Sequence, residues 1–361
     1  MLQFILKRIC VMLITAACLT FIVFFLTNLF PNLEKLAKNQ GNIRMTDDAV
    51  ISWLDKRGYS QNIFKKYGEW LGVLPSLKVV DDKGQAYSRC SRPSIPASEA
   101  SDFCGLLQGN MGFSSVFKDE VSAIISKRLN LTAYLMMAVL SVMIPMALAV
   151  GVISGMREGS RTDRTLSTFS IATTATPEYV SGVIFIVIFA SSKTGLSPFF
   201  AEWGWIDGRT IVKGSAASAM DNITFRNFAL PVMALALYGM GYIARMTRAS
   251  MAEVMTAQYI RTARLKGVKF STIVFKHALR NALIAPFTVI MLQIPWLLTG
   301  VVIVETMFNY KGFGWSLVQA ADNNDIQLLL GISVIAVFVV LVTQLISDIG
   351  YAFLNPRIRV S

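Results

Sequence analysis

Apolar segments of membrane-spanning length alternate with polar segments along the chain. Residues 9–30 and 282–304 contain no charged side chain, and each is long enough to cross a bilayer as a helix. Four further apolar segments carry at most one charge each, at 131–156, roughly 165–192, 227–244 and 326–347. Because a helix satisfies its own backbone hydrogen bonds in lipid, the pattern predicts an all-α polytopic membrane protein with six transmembrane helices. The first segment stays apolar as far as Phe30 without a small-residue cleavage site, so we expect it to remain as an anchor.

The polar segments between the predicted spans differ in charge. Fifteen Lys and Arg fall on the side of the N-terminus, five in the two short loops on the other side, and fourteen in the long loop 31–130. Basic residues accumulate in cytoplasmic segments, and long loops escape this rule, so both termini are predicted to be cytoplasmic. The asymmetry accounts for much of the net charge of +12, which therefore requires no nucleic-acid partner.

The long loop 31–130 is predicted to form a periplasmic subdomain between the first and second helices. Three of its segments have helical or amphipathic patterns, at 46–58, 60–74 and 116–130, and the first starts with a Thr-Asp helix cap signal at Thr46. Residues 75–104 become rich in Pro and Ser, which predicts an irregular insertion or a short hairpin. An oxidising compartment would permit a disulfide between Cys90 and Cys104, and the alternative is two unpaired thiols.

Several kinds of chemistry are missing from the sequence. There is no phosphate-binding loop of the form GxxxxGK[ST], no HExxH metal motif and no zinc-type cysteine pairing, and a single histidine cannot build a multi-histidine metal site. We therefore expect a non-catalytic chain that binds no metal or cofactor itself. Such a chain is a passive conduit, uses an ion gradient, or takes energy from a partner.

A few polar side chains interrupt the predicted spans. Glu178 lies at mid-depth of the third span, directly after Pro177. Either its carboxylate faces a translocation path beside a proline kink, or it hydrogen-bonds backbone that the proline leaves unpaired. Further candidates for lining a translocation path are Thr176, Gln293 and Thr299.

The longest predicted cytoplasmic segment, 245–281, holds eight Lys and Arg and the only histidine, His277. Apolar residues recur at helical spacing from Ser250, and Gly267 predicts the end of that helix. Ser271 is expected to cap a second helix that leads into the fifth span. Composition alone also fits an interfacial amphipathic helix bound to anionic membrane lipid.

The spacing in this segment is more specific. RTARLKG at 261–267, followed by KHALRNA at 276–282, resembles the cytoplasmic coupling motif of bacterial ABC importer permeases of the dipeptide, oligopeptide and nickel subfamily. In its general form that motif is Glu-Ala-Ala, three residues, Gly, nine residues, then Ile-x-Leu-Pro. Its places are held here by Arg261, Thr262, Ala263, Gly267, His277, Leu279 and Arg280. The segments MLQFILKR, RMTRASMAEV, ETMFNYKGFG, NPRIR, KKYGEWLG and GLLQGNMGFS also resemble that subfamily, so the resemblance covers nearly the whole chain.

The resemblance implies a permease subunit with the type I importer fold in the bacterial inner membrane. Such a subunit forms half of a translocation path for peptides or peptide-like solutes. The implied partners are a second homologous permease, two ATPase subunits that carry ATP and Mg, and a periplasmic solute-binding protein. On this interpretation the chain divides into a first helix at 1–30, the subdomain at 31–130 and a five-helix core at 131–361.

The resemblance also implies roles for individual residues. The stretch from Gln258 to Gly267 would be the helix that docks into a groove of an ATPase subunit. Apolar contacts in the groove would come from Tyr259, Ile260 and Ala263, contacts with acidic groups at its rim from Arg261, Arg264 and Lys266, and transmission into the fifth span from His277 and Arg280. Gly267 would permit a turn that a side chain would obstruct.

Two other functions remain open from the residues alone. A secondary carrier or channel would transport without ATP, but would be expected to have more charged groups inside the spans. A membrane-anchored enzyme or adhesin would have its function in the loop 31–130, which has no nucleophile–base arrangement or metal cluster that we can identify. The sequence does not identify the solute, since subfamily members also carry nickel chelates and opines.

Overall fold

The computed structural model describes residues 2–80, 86–88, 90, 99–206 and 208–354. For residues 2–4, 79–80, 86–87, 299 and 351–354 it describes the backbone only. The described part is mainly helical. Its α-helices are α1 (Leu2–Thr27), α2 (Phe30–Gln40), α3 (Asp47–Asp55), α4 (Ile63–Leu71), α5 (Val121–Met156), α6 (Arg161–Ala175), α7 (Glu178–Phe185), α8 (Ser197–Glu202), α9 (Phe225–Met255), α10 (Gln258–Leu265), α11 (Phe270–Thr272), α12 (Leu279–Ala282), α13 (Ile284–Met307), α14 (Phe313–Asp322) and α15 (Ile326–Leu354). Short 3-10 turns occur at Leu106–Gln108 and Ala217–Met220, and π turns at Ile186–Ala190 and Ile273–Ala278.

Long apolar helices provide the candidate membrane spans. Four helices, α1, α5, α9 and α15, are long and apolar enough to cross a bilayer. Two bent pairs reach the same criterion together: α6 with α7 and its π turn, bent by 102°, and the helical segment from Phe270 to Ala282 with α13, bent by 54°. The described residues therefore hold four to six candidate spans, in keeping with the predicted class of polytopic helical membrane protein.

The third predicted span is two helices, where the sequence predicts one kinked helix. Thr176 ends α6 in an extended conformation, with φ −95° and ψ 115°. The ring of a proline disfavours the helical conformation of the preceding residue, so Pro177 explains the break. The structure thus replaces the predicted kink with a bend of 102°.

The chain forms two compact units. The first comprises residues 1–5, 131–315 and 342–361. Its core is a set of buried apolar side chains from α5, α9 and α13: Leu135, Val139, Met143, Leu235, Met240, Ile243, Leu297, Val301 and Val304. The helices α6 and α9 approach closely at Gly241. A Cβ added to this glycine would lie only 2.4 Å from the carbonyl oxygen of Ser170, so a larger residue would not fit. Small residues allow such contacts between membrane helices.

The second unit comprises residues 6–130 and 316–341. Its buried core includes Phe24 of α1, Trp70 of α4 and Leu330 of α15. As predicted, Thr46 caps α3 by accepting a hydrogen bond from the amide of Ala49. The helix α2 was not among the predicted segments.

A hairpin and a disulfide lie in the segment predicted as an insertion. The strands β1 (Lys78–Val80) and β2 (Ala86–Ser88) pair antiparallel. A disulfide joins Cys90 to Cys104, with their Cα atoms 5.6 Å apart. The remainder of the predicted insertion, at 81–85, 89 and 91–98, lies outside the described residues. The division into parts at 1–30, 31–130 and 131–361 stays a prediction.

Candidate functional site

The segment predicted to couple to a partner is a short helix between two long ones. The helix α9 continues to Met255, which is further than the predicted fourth span, and α10 begins after Thr256 and Ala257. The following helix begins at Phe270, after Lys269. The prediction that Ser271 caps it is therefore wrong, because Ser271 lies inside the first helical turn.

Gly267 ends α10, as predicted, with a positive φ of 72°. The amide of Gly267 donates to the carbonyl of Arg264, and the amide of Val268 donates to the carbonyl of Ala263, which is the Schellman pattern of a helix end. A Cβ added to Gly267 would meet nothing within 4 Å. The positive φ therefore explains why this turn favours glycine, as expected, and the strain of a side chain would come from the backbone conformation and not from a collision with neighbouring atoms.

One face of α10 is buried within the chain and the other is exposed. Ile260 is 0% exposed and belongs to a cluster with Met251, Ile273 and Val274. Ala263 is half-buried against the same cluster. The expectation that Ile260 fills a groove of a partner does not fit this burial, because its side chain already holds α10 onto the helices on either side.

The exposed face of α10 is polar apart from two residues. The exposed side chains are those of Gln258, Tyr259, Arg261, Thr262, Arg264, Leu265 and Lys266. Leu265 is 82% exposed, and sequence reasoning did not select it. Together with Tyr259, which is 44% exposed, it forms the apolar part of this basic surface. Its place between Arg264 and Lys266 could have signalled its exposure.

A side-chain hydrogen bond connects α10 to the helix that leads into α13. Asn281 donates through Nδ2 to the hydroxyl oxygen of Tyr259, at 2.8 Å. His277 is half-buried in the π turn between them, and its carbonyl accepts from Asn281 at 3.3 Å. Arg280 is exposed on α12. The residues predicted to transmit movement thus lie within one turn of this contact along the chain.

Asp163 forms a second polar centre, which sequence reasoning missed. It is 3% exposed and accepts two hydrogen bonds from Arg248, at 2.6 Å from Nε and 2.8 Å from Nη2. It also accepts from the Ser154 hydroxyl at 2.5 Å and from the amide of Gly159 at 2.9 Å. The loop between α5 and α6 is thereby tied to the part of α9 that precedes α10. The separation of 85 residues in sequence explains why local patterns did not reveal the pair.

The polar residues predicted for a translocation path are only partly brought together. Glu178 begins α7 and faces α13, since a Cβ added to Gly300 would lie 3.6 Å from its Oε1 and 3.6 Å from the ring of Trp296. Trp296 stacks on Tyr238 of α9, with centroids 4.7 Å apart. Thr176 donates to the carbonyl of its own helix at Ala172, and this bond occupies its hydroxyl hydrogen.

The other two candidates are less informative. Gln293 is buried on α13, at 8% exposure, and Thr299 has a side chain that lies outside the described part. Among the described side chains and backbone, the Glu178 carboxylate makes no hydrogen bond, so the interpretation as a cap for backbone near Pro177 gains no support.

Glu305 is a further buried carboxylate that sequence reasoning did not select. It is 0% exposed at the end of α13 and accepts from the hydroxyl of Thr132 and from the amide of Trp315. The Thr132 hydroxyl in turn accepts from the amide of Phe313 at 2.7 Å. A Cβ added to Gly312 would collide with Glu305 Oε1, so the close approach requires glycine. The segment 305–314 (ETMFNYKGFG) therefore folds around the buried carboxylate of Glu305.

Comparison with known proteins gives concordant matches. The model of a family described as "Binding-protein-dependent transport system inner membrane component" matches residues 147–360. The di/tripeptide transport system permease protein DppB of Pseudomonas aeruginosa is 30% identical over 370 aligned residues, covering 99% of each chain. The oligopeptide transport system permease protein AppB of Bacillus subtilis is 33% identical over 256 residues, covering 70% of this chain and 77% of its own length. A putative peptide permease protein of Brucella ovis is 27% identical over the full length of both chains.

Proposed function

The chain belongs to the family of binding-protein-dependent transport system inner membrane components, and on that premise we propose how it moves a solute. It is an inner-membrane permease subunit of a binding-protein-dependent importer. Relatives named as peptide permeases support peptides or peptide-like solutes as its cargo. The chain forms half of a translocation path, and a second homologous permease forms the other half.

The proposed topology counts each bent helix pair as one span. Six spans then place both termini in the cytoplasm, together with the α5–α6 loop and α10. The residues 31–130 lie in the periplasm, where the Cys90–Cys104 disulfide is chemically stable. The excess of Lys and Arg in the predicted cytoplasmic segments supports this orientation.

The free energy of ATP hydrolysis reaches this chain through α10. The observation that carries this step is that one face of α10 is buried within the chain while the other is exposed. Ile260 anchors it within the chain, while Leu265 is 82% exposed beside three basic side chains. A partner groove of apolar floor and acidic rim would complement this face, with Tyr259 and Leu265 as the apolar contacts. Arg261, Arg264 and Lys266 would meet the acidic rim.

The partners follow from this role. Two ATPase subunits hold ATP and Mg and dock on the coupling helices of the two permeases, and a periplasmic solute-binding protein delivers the solute. This chain binds no cofactor itself. Movement of α10 passes through the Tyr259–Asn281 contact into the helix that leads to α13. On α13, Gly300 lies opposite Glu178, which we assign to the translocation path together with Gln293, Thr176 and Thr299.

A pair of matched substitutions tests the docking role of α10. Leu265→Ser removes an exposed leucine from α10, and Leu107→Ser removes one that is 69% exposed in the second unit. Burial of a leucine side chain is worth about 1.5–3 kcal/mol, so Leu265→Ser should weaken retention of the ATPase subunits by about tenfold or more. The measurement is the ATPase that copurifies with the tagged chain under increasing salt. Equal retention in both variants would contradict the assignment of α10 as the docking helix.

A further inference from the structure

The loop after the bent pair of α6 and α7 turns back onto the end of that candidate span. The pair ends with the π turn Ile186–Ala190, and Gly195 then takes a positive φ of 80°. A Cβ added to Gly195 would lie 2.4 Å from the carbonyl oxygen of Val187 and 2.5 Å from that of Ile188. The amide of Leu196 donates to the Ile188 carbonyl at 2.8 Å. Close backbone approach therefore requires glycine here, and it holds the start of α8 against the last turn of the span.

A shared carbonyl attaches two further parts of the loop to the same place. The hydroxyl of Ser197 on α8 donates to the carbonyl of Phe189 at 2.7 Å, and the amide of Val212 donates to that carbonyl at 3.3 Å. The Ser197 hydroxyl also accepts from the amide of Ile211 at 3.1 Å, and Ser197 is 0% exposed. The beginning of α8 and the later part of the loop are thus both fixed to the end of the span.

Three aromatic side chains of α8 and the turn after it pack on one another. The ring of Trp205 lies 5.3 Å from that of Phe200 and 5.2 Å from that of Trp203, measured between centroids. The amide of Trp205 donates to the carbonyl of Phe200 at 2.9 Å. Trp203 is nevertheless 61% exposed and Trp205 69%. The cluster is held together by its own contacts, while the chain leaves most of both tryptophans uncovered.

The attachment to the span sets the depth of this cluster. A membrane span ends where hydrocarbon gives way to lipid headgroups, and the polar residues Ser191, Ser192 and Lys193 directly follow the π turn. Tryptophan is enriched at this boundary, because its ring is apolar and its N–H donates a hydrogen bond. Within the described part of the chain the indole N–H groups of Trp203 and Trp205 donate to no acceptor, and oxygen atoms of lipid headgroups would supply one.

Exposed apolar side chains lie on both sides of the attachment. On the span, Val183 is 51% exposed, Ile184 45% and Val187 47%, and beyond the turn Leu196 is 41% exposed and Phe199 54%. A bilayer covers both groups as one continuous surface. A soluble binding protein would reach only the group on α8, so the exposure favours lipid as the partner.

We propose that α8 and the turn to Trp205 form an interfacial anchor, which inserts Trp203 and Trp205 into the headgroup and glycerol layer of a phospholipid bilayer. The anchor fixes the depth at which the span containing α7 ends. The assignment to the periplasmic leaflet rests on the topology given under the proposed function. The lipid contact itself requires no solute, ATP or partner subunit.

Fluorescence quenching of the full-length chain in phosphatidylcholine vesicles provides the test. The lipid is brominated either on acyl-chain carbons close to the glycerol or on carbons close to the methyl end, and iodide in solution probes exposure to water. The fluorescence that the parent chain has and the variant Trp203→Phe/Trp205→Phe lacks belongs to these two residues. The control is Trp70→Phe, which removes a tryptophan that is 2% exposed.

Bromine close to the glycerol should quench the fluorescence of the two residues more strongly than bromine close to the methyl end, and iodide should quench it least. The double variant should lose this preference for the shallow label, and Trp70→Phe should keep it. If the double variant does not insert into membranes, Trp203→Phe and Trp205→Phe provide the same comparison singly.

Three results would overturn the proposal. Quenching by iodide without quenching by either lipid would place the cluster in water, free for a soluble partner. Stronger quenching by the deep label would place it inside the hydrocarbon, and no quenching by any reagent would mean that protein covers it. Because vesicles with the chain alone suffice, these results are independent of peptide uptake: a complex that imports nothing would refute the transport role and leave the lipid contact intact.

Discussion

Substitution of Gly267 tests the link between helix geometry and energy coupling. At a φ of 72°, an L-residue with a Cβ pays about 1–2 kcal/mol relative to glycine, while asparagine adopts this conformation readily. A Cβ at Gly267 would meet nothing within 4 Å, so no steric collision adds to that cost. The penalty should therefore follow backbone preference alone, in the order Asn, then Ala, then the β-branched Val.

The expected magnitude follows from the end of α10. We assume that the helix must keep its Schellman end in order to dock. A conformational penalty of about 1–2 kcal/mol at position 267 then lowers the population of the docking-competent form by about 5- to 30-fold. Gly267→Asn should then retain most of the substrate-stimulated ATP hydrolysis by the assembled complex, Gly267→Ala should lose much of it, and Gly267→Val should lose nearly all. Gly267→Asp keeps the backbone preference of asparagine but adds a negative charge toward the proposed acidic rim, so it should abolish stimulation through charge.

Gly159 supplies the matched control for this series. It has a φ of 77°, a Cβ added there would also meet nothing within 4 Å, and it lies in the α5–α6 loop. Gly159→Ala therefore carries the same backbone cost away from α10, and should keep most of the stimulated hydrolysis. The reasoning is refuted if the Asn, Ala and Val variants of Gly267 behave alike at equal membrane insertion, or if Gly159→Ala loses as much stimulation as Gly267→Ala.

Three further outcomes are expected. Asp163→Asn should lower stability by about 1.5–3 kcal/mol, because it weakens charged hydrogen bonds to a buried carboxylate whose partner Arg248 is 31% exposed. A fall in the thermal midpoint of the purified chain measures this, and a midpoint unchanged from the parent chain would argue against the pair. Cys90 and Cys104 should resist a membrane-impermeant thiol reagent in intact spheroplasts until reductant is added, and immediate labelling would show that they are unbonded there. Gly312→Ala should make the loop after α13 more sensitive to protease, because its Cβ collides with Glu305; Gly208→Ala, where the nearest atom is the flexible end of an arginine, is the control that should not.

Local chemistry predicted some elements well. Thr46 as the cap of α3 and Gly267 as the end of α10 depend on residues only a few positions away, and both are confirmed. Local chemistry also misled at Ser271, where Lys269 precedes the helix without any side-chain cap. Capping residues raise the probability of a helix start, but tertiary packing of the buried Ile273 and Val274 decides the register here.

The features missed depend on contacts between distant parts of the chain. The pairing of Asp163 with Arg248 and the closure of the loop after α13 around Glu305 join helices that no periodicity relates. Burial of Ile260 is similar, because an apolar residue on an amphipathic helix can face either its own chain or a partner. The role proposed for α10 could be inferred from the spacing of the motif residues along the sequence. Which face of the helix is exposed could be learned only from the fold.

Uptake by reconstituted vesicles tests the transport role most directly. Proteoliposomes would contain this chain, its partner permease and the ATPase subunits, with ATP inside the vesicles and the solute-binding protein with labelled peptide outside. Accumulation of peptide above its external concentration is expected only when ATP and the binding protein are both present, and it should be lost with Gly267→Val. Equal accumulation without ATP, or driven by an ion gradient with this chain alone, would contradict the role of an ATP-driven permease subunit and favour a secondary carrier.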